Sequence, residues 1–121
     1  MRLVVAMLTP SELEPVRHAL AAVHVTRLTV CDAQEHVRPA GGAAVTRDAA
    51  GGAVAPPHIG QIAVMEIAVN DDFLERTLDT IAAAMRLADP DGDRAAGDRL
   101  FVLPVHEAIQ IYREVRGQEA L

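Results

Sequence analysis

The sequence predicts a small α+β protein with the order strand, helix, strand, strand, helix, strand. Two observations lead to this prediction: four apolar runs have the length of strands, and two stretches repeat apolar residues at helical spacing. With 121 residues the chain has room for one domain, residues 1–121. Right-handed crossovers would place both helices on one face of an antiparallel sheet, which is a ferredoxin-like βαββαβ sandwich.

The first three elements follow from local patterns. A continuous apolar run from Arg2 to Leu8 predicts a strand that is buried on both faces. Ser11 and Glu14 have the spacing of a capping box, which predicts the start of a helix of about 12 residues. A second strand is expected from Val25 to about residue 35, because β-branched residues are frequent there. The apolar stripe of the first helix consists of Leu13, Val16, Leu20 and Val23.

The second half repeats this arrangement. A third strand, residues 62–69, is apolar on both faces apart from Glu66. Asp72 and Glu75 repeat the capping-box spacing before a second helix that ends near Leu87. A polar loop at about residues 88–99 precedes a short fourth strand, residues 100–103, and one or two helical turns are expected from Val105 to Tyr112 within the C-terminal tail, residues 105–121.

The strand composition predicts a homo-oligomer. Strands 1, 3 and 4 are apolar on both faces, but two helices can cover only one face of the sheet. A second copy of the chain is expected to cover the other face.

Residues 36–60 form a long connection between strands 2 and 3. This segment contains two Gly-Gly pairs and three prolines, and it has few side chains large enough to bury apolar area. Such a loop is expected to be mobile when free, and connections of this length usually bind something. The loop therefore predicts a contact surface for an unidentified ligand, with simple disorder as the alternative.

Composition excludes several classes. The formal charge of −6 and the 2% aromatic content argue against nucleic-acid binding. The single cysteine, Cys31, cannot form an internal disulfide and is expected to be a small buried hydrophobic residue. The N-terminal apolar run is too short for a signal sequence or a membrane span, which predicts a cytoplasmic protein without membrane insertion.

No motif indicates catalysis or a resident metal. The alternating Asp89, Asp91 and Asp93 fail the calcium-loop pattern at its sixth and twelfth positions. His36 and His58 lie near the two ends of loop 36–60, which leaves metal binding open as an alternative. No nucleophile is paired with a base, so the protein is expected not to be an enzyme and to require no cofactor.

Two features suggest a ligand. The carboxylate of Glu66 within an apolar strand is equally consistent with a salt bridge, including one across the oligomer, and with a ligand contact. Guanidinium groups close to a Gly-rich loop suit a phosphorylated ligand, although a solvated face explains them equally well. The arginines concerned are Arg94, Arg99, Arg113 and Arg116.

Three segments of the chain resemble the PII signalling proteins. The matching segments are residues 1–38, residues 65–69 with Asp71 and Asp72, and residues 97–102. The resemblance implies a homotrimer that binds an adenine nucleotide in each cleft between subunits. It also implies a mobile T-loop that docks on a transporter or enzyme, here residues 36–60, and a B-loop, here about 88–99.

The resemblance also implies site residues. Thr29 and Glu66 match positions on the adenine side, and Ala68 matches a backbone contact. Arg38 matches a T-loop arginine that reaches phosphate. The phosphate-cradling loop corresponds to Gly97, Asp98 and Arg99, with Arg99 replacing the lysine of the family.

The chain departs from the family at several positions. Gln110 and Tyr112 replace two phosphate-binding arginines, and Arg113 substitutes for them only if the backbone shifts. Pro39 replaces the glutamine that helps to hold magnesium and 2-oxoglutarate, and loop 36–60 lacks the tyrosine that is nucleotidylated. These departures predict that the protein does not sense 2-oxoglutarate and is not uridylylated.

The departures lead to an expected ligand and branch of the family. AMP, ADP or cyclic AMP is expected rather than magnesium-ATP, with bicarbonate as a further ligand. The chain is similar in this respect to divergent PII-like proteins of the carboxysome and bicarbonate-transport type, which implies control of inorganic carbon or nitrogen metabolism. The alternative is a ferredoxin-like trimer of the divalent-cation-tolerance type that binds metal or protein without nucleotide.

Overall fold

A computed structural model describes residues 1–37, 58–90 and 99–121. Within these residues the predicted α+β fold is confirmed: four antiparallel strands form one sheet in the order β2-β3-β1-β4, with the two helices connecting them as expected. The elements are β1 (Arg2–Leu8), α1 (Pro10–Ala22), β2 (Thr29–Val37), β3 (His58–Val69), α2 (Asp71–Ala88), β4 (Arg99–Pro104), β5 (Ile109–Gln110) and β6 (Val115–Arg116).

The hydrophobic core lies between the two helices and one face of the sheet. Val4, Ala6 and Leu8 of β1 are fully buried or nearly so, and they pack with the buried stripes of both helices. Alternate residues of a strand point to opposite faces, so every second residue of β1 enters this core. The main helical contributions are Val16, Leu20, Ile81, Ala84 and Met85.

Helix α1 begins earlier than the spacing of Ser11 and Glu14 predicts. Thr9 is the N-cap, Pro10 occupies the first turn, and the capping box pairs Thr9 with Glu12. The Glu12 carboxylate is completely buried and accepts hydrogen bonds from the Thr9 backbone N–H at 2.7 Å and from the Thr9 hydroxyl at 3.0 Å. Proline suits the first helical position because the N–H that it lacks has no partner there in any case.

The end of helix α1 explains why β2 starts later than predicted. His24 adopts a left-handed conformation with φ of 67°, and its N–H donates to the Ala21 carbonyl at 3.1 Å. The Val25 N–H donates a hydrogen bond to the Leu20 carbonyl at 3.0 Å, so this turn satisfies carbonyls in the last turn of the helix. The prediction of a strand from Val25 is therefore wrong for residues 25–28, and β2 begins at Thr29.

Helix α2 begins at Asp71, directly after β3. Its N-cap is Asn70, not Asp72, and the Asn70 side chain makes no capping hydrogen bond. The Asp71 carboxylate instead ties the helix to β1: it accepts from the terminal amine of Met1 at 3.1 Å and from Arg2 Nε at 2.9 Å.

The helical turns expected from Val105 to Tyr112 do not form an α-helix. This segment leads into a small hairpin in which β5 and β6 are joined by the 3-10 turn Ile111–Arg113. Glu114 closes the turn in a left-handed conformation, and the Gly117 N–H donates to the Ala108 carbonyl at 2.9 Å. Backbone pairing across the hairpin therefore replaces the expected helical hydrogen bonds.

The sheet face opposite the helices, called the open face below, is apolar and partly exposed. Cross-strand partners share a face, so the register places Val5, Phe101 and Leu103 there together. Phe101 and Leu103 are each 44% exposed, which agrees with the expectation that the helices cover only one face. Cys31 also lies on this face and is exposed, so the expectation that it is buried is wrong for the single chain.

Candidate functional site

The ladder between β2 and β3 ends at the pair Thr29 and Glu66. Both side chains are exposed on the open face. Beyond this pair the chain diverges from β3, so Ala68 has no partner in β2. The structure thus brings together three of the residues that the sequence singled out, at the point where two strands separate.

A pocket of about 280 Å³ lies where the strands separate. One wall is the turn between α1 and β2, and the other is the end of β3 with the first turn of α2. Its apolar lining consists of Val25, Ala68, Val69, Phe73 and Leu121, and its polar lining consists of His24, Thr26, Arg27 and Asn70.

This lining combines an apolar slot with a few polar groups. Phe73 is 46% exposed, so its aromatic ring is available for contact with a flat ligand. Arg27 supplies a permanent positive charge and hydrogen-bond donors, while Thr26 and Asn70 can donate and accept. A mainly apolar cleft with a small number of polar groups is typical of small-molecule sites.

Glu66 has no hydrogen bond or ion pair with the part of the chain that the structure describes. Its backbone is paired with Thr29 on one side and Val5 on the other, and its side chain extends from the open face. Within one described chain the carboxylate therefore remains available to a ligand or to a neighbouring subunit.

Among the predicted site residues that the structure describes, only Ala68 lines this pocket. Arg99 begins β4 opposite Met7, and it is exposed on the open face two strands away from β3. Arg113 lies in the 3-10 turn of the C-terminal hairpin and is also exposed. Arg38, Gly97 and Asp98 lie outside the described residues, as does most of loop 36–60.

Of the nine residues that line the pocket, sequence reasoning singled out only Ala68 as a site residue. The residues that it missed include Thr26, Arg27, Asn70 and Phe73. Asn70 was expected only to cap a helix, and Phe73 follows it in the first turn of α2. No local pattern predicts that the turn after α1 lies against this helix start, because the contact depends on the left-handed conformation of His24.

The structure gives no support to the metal alternative. The register pairs His58 with Val37 and His36 with Ile59, so the two histidines are not opposite one another. Among residues 1–37, 58–90 and 99–121, no cluster of three or more His, Cys, Asp or Glu side chains could hold a metal ion. None of the helices within these ranges is both long and apolar enough to span a membrane.

Comparison with known proteins is consistent with this fold. Residues 1–115 match the family model described as nitrogen regulatory protein P-II. The chain is 32% identical over 121 residues to nitrogen regulatory protein GlnK1 of Methanosarcina mazei. The aligned region covers 100% of this chain and 97% of that protein.

Two bacterial relatives are similar over the whole of both chains. The nitrogen regulatory protein P-II of Rhizobium etli is 29% identical over 122 residues, with 100% of each chain covered. The protein of the same name from Cereibacter sphaeroides is 27% identical over 121 residues, again with 100% of each chain covered. The chain belongs to the nitrogen regulatory protein P-II family, a family of regulatory proteins.

Proposed function

We propose that this protein is a homotrimeric signal transducer that binds an adenine nucleotide in clefts between its subunits. Bound nucleotide changes the state of loop 36–60, and this loop controls a transporter or enzyme of nitrogen or inorganic carbon metabolism. The protein acts by binding and carries out no catalysis. The observation that carries the proposal is the pocket beside Ala68, with the paired residues Thr29 and Glu66 exposed on the adjoining open face.

The chemistry of the pocket suits a nucleobase. Its apolar walls can bury the faces of a base, and Phe73 offers an aromatic ring for stacking. Polar groups at the ends of the slot, among them Thr26 and Asn70, can bond to the edge of the base or to the sugar. Thr29 and Glu66 provide a hydroxyl and a carboxylate on the adjoining open face.

The polar groups of the hairpin favour a ligand with few phosphates. Gln110 and Tyr112 carry no positive charge, and Tyr112 is 100% exposed. Neutral side chains cannot form the charge-assisted bidentate bonds that arginine forms with phosphate. AMP, ADP or cyclic AMP therefore fits better than magnesium-ATP with 2-oxoglutarate, and bicarbonate is a candidate second ligand.

The open face supports assembly into a homotrimer. Phe101 and Leu103 lie there with Val5, in an apolar surface that neither helix covers. Burial of such a surface against a second copy is favourable, and a closed ring of three copies buries it on every subunit. In such an assembly the neighbouring subunit brings further residues to the cleft, and Arg99 and Arg113 are our candidates for contacts with phosphate.

Calorimetric titration tests the nucleotide proposal. The purified protein is titrated with AMP, ADP, ATP and cyclic AMP, each with and without bicarbonate, and light scattering measures its mass. We expect micromolar binding of AMP, ADP or cyclic AMP at about one nucleotide per subunit. Light scattering should give the mass of a trimer, three times 12.9 kDa. A monomer, or the absence of both heat and thermal stabilisation with all four nucleotides, would overturn the proposal.

A further inference from the structure

Asn70 carries a side-chain oxygen that the folded chain does not use. The residue lines the pocket beside Ala68, and its Oδ1 is buried without a hydrogen-bond partner among the described residues. A buried acceptor without a donor is unfavourable, and native proteins usually satisfy such groups.

The helix does not require this side chain as a cap. Asparagine at an N-cap normally accepts a hydrogen bond from a backbone N–H of the first turn. Here the Phe73 N–H donates to the backbone carbonyl of Asn70 at 3.0 Å, and the side chain makes no capping bond. The carboxamide is therefore available for another role.

The pocket does not satisfy the Asn70 oxygen either. Arg27 lines the same pocket and has several donors, but it forms no hydrogen bond with Asn70 within the described part of the chain. The torsion that orients a carboxamide is broad and roughly two-fold, so rotation can bring either the oxygen or the amide nitrogen to the pocket. A ligand that offers a donor stabilises the rotamer in which the oxygen faces the ligand.

We propose that Asn70 selects the exocyclic amino group of adenine by accepting a hydrogen bond from it. This inference rests on the proposed function, because it concerns the same pocket and ligand. A base with an oxo group at that position offers an acceptor, which could bond only to the amide nitrogen. That orientation returns the oxygen to its buried position without a partner, so the oxo base is disfavoured.

AMP and IMP form a matched pair of probes, because they have the same ribose and phosphate and differ only at the edge of the base, where the 6-amino group and unprotonated N1 of adenine become a 6-oxo group and N1–H. Calorimetry measures the affinity of each for the wild type and for Asn70→Ser. Serine keeps a good N-cap residue before α2, but its hydroxyl is too short to replace the carboxamide. We expect the substitution to weaken AMP about tenfold while IMP changes less than threefold, so the preference for AMP falls.

Asp71→Asn is the control, since Asp71 begins the same helix but bonds to Met1 and Arg2. Its ratio of AMP to IMP affinity should match the wild type. An unchanged ratio in a folded Asn70→Ser protein would overturn the role of Asn70, although the nucleotide proposal would stand. Absence of binding of all adenine nucleotides to the wild type would instead overturn the proposed function. If circular dichroism shows that Asn70→Ser does not fold, the ratio of AMP to IMP affinity is measured for Asn70→Ala instead. An unchanged ratio would again overturn the role of Asn70.

Discussion

Thr29 of β2 and Glu66 of β3 are direct cross-strand partners in the last pair of the ladder that joins these strands. Side chains of directly opposed residues begin about 5 Å apart, so one small ligand can contact both. Neither side chain is needed by the core, because both lie exposed on the open face. Substitutions here should therefore affect binding far more than stability.

Thr29→Ala and Glu66→Gln should each weaken the proposed adenine-nucleotide binding about tenfold, or about 1.4 kcal/mol, because the first removes a hydroxyl and the second replaces a charged acceptor by a neutral amide. The free energy of unfolding should change by less than about 0.5 kcal/mol, as is usual for exposed residues. Calorimetry gives the affinities, and urea unfolding gives the stabilities. Asp32→Asn, on the opposite face of β2, is the control. Wild-type affinity in both variants would remove this pair from the site.

The open face provides a test of assembly. Phe101→Glu places a charge within the partly exposed apolar surface of this face, on the edge strand β4. Burial of an unpaired carboxylate is costly, so we expect the proposed trimer to dissociate into folded subunits. Analytical ultracentrifugation should then report about 12.9 kDa, whereas Leu87→Glu, 81% exposed on α2, should leave the assembly intact. A Phe101→Glu protein of unchanged mass would show that this face is not the interface.

The Asp71 carboxylate should make stability dependent on acidic pH. Two hydrogen bonds lower the pKa of Asp71 below its ordinary value of 3.8. The bond from the Met1 amine has the larger effect, and the bond from Arg2 has the next largest. A carboxyl whose pKa is lower in the folded state contributes stability above about pH 4, and this contribution is lost as pH falls through the folded pKa. Urea midpoints of the wild type and Asp71→Asn should therefore differ at pH 6, and the difference should shrink as pH falls below about 4. Glu75→Gln, exposed on the same helix, should not show this convergence.

His24 should be replaceable by glycine with a gain in stability. Its φ of 67° lies in the left-handed region, which glycine adopts without the penalty of a Cβ atom. We expect His24→Gly to raise the free energy of unfolding by about 0.5–1 kcal/mol. The same substitution at His18, within α1, should lower it by a similar amount. Loss of stability in both variants would contradict this interpretation of the turn.

Glu12 should contribute more to stability than its neighbour Glu14. Its completely buried carboxylate accepts two hydrogen bonds from Thr9, whereas Glu14 is exposed. Hydrogen bonds to charged groups are strong, so Glu12→Ala should cost about 2–3 kcal/mol in urea unfolding. Glu14→Ala should change stability by less than about 0.5 kcal/mol. Similar small effects in the two variants would show that the buried capping box contributes little.

Most of the fold could be predicted because its elements have strong local signals. The apolar run of β1 and the helical spacing of Leu74, Leu78 and Ile81 in α2 each specify an element without reference to the rest of the chain. The errors lie at the ends of elements: α1 begins at Pro10, β2 begins at Thr29, and the expected turns after Val105 become a hairpin. At such positions the hydrogen bonds of caps and turns set the boundary, and these bonds leave no periodic pattern in the sequence.

The candidate site was only partly predictable. Resemblance to a family singled out Thr29, Glu66 and Ala68, and the register places them together. The role of Arg27, Asn70 and Phe73 in the pocket had no signal, because their proximity arises from a turn and a helix start more than 40 residues apart. The binding roles of all the predicted site residues stay predictions, and Arg38, Gly97 and Asp98 lie outside the described residues.

The sequence by itself determined which segments form strands and helices, that both faces of the central strands are apolar, and that a long connection joins strands 2 and 3. These properties depend on the period and composition of neighbouring residues. The predicted bounds of this connection, residues 36–60, are wrong at both ends, because His36 and Val37 pair with Ile59 and His58 within the sheet. Only the tertiary structure decided that the chain pairs with β3 from Thr29 onward and not before it, and that Cys31 is exposed. It also left the Asn70 oxygen without a partner beside a pocket, because burial and hydrogen bonding depend on which distant segments meet in the folded chain.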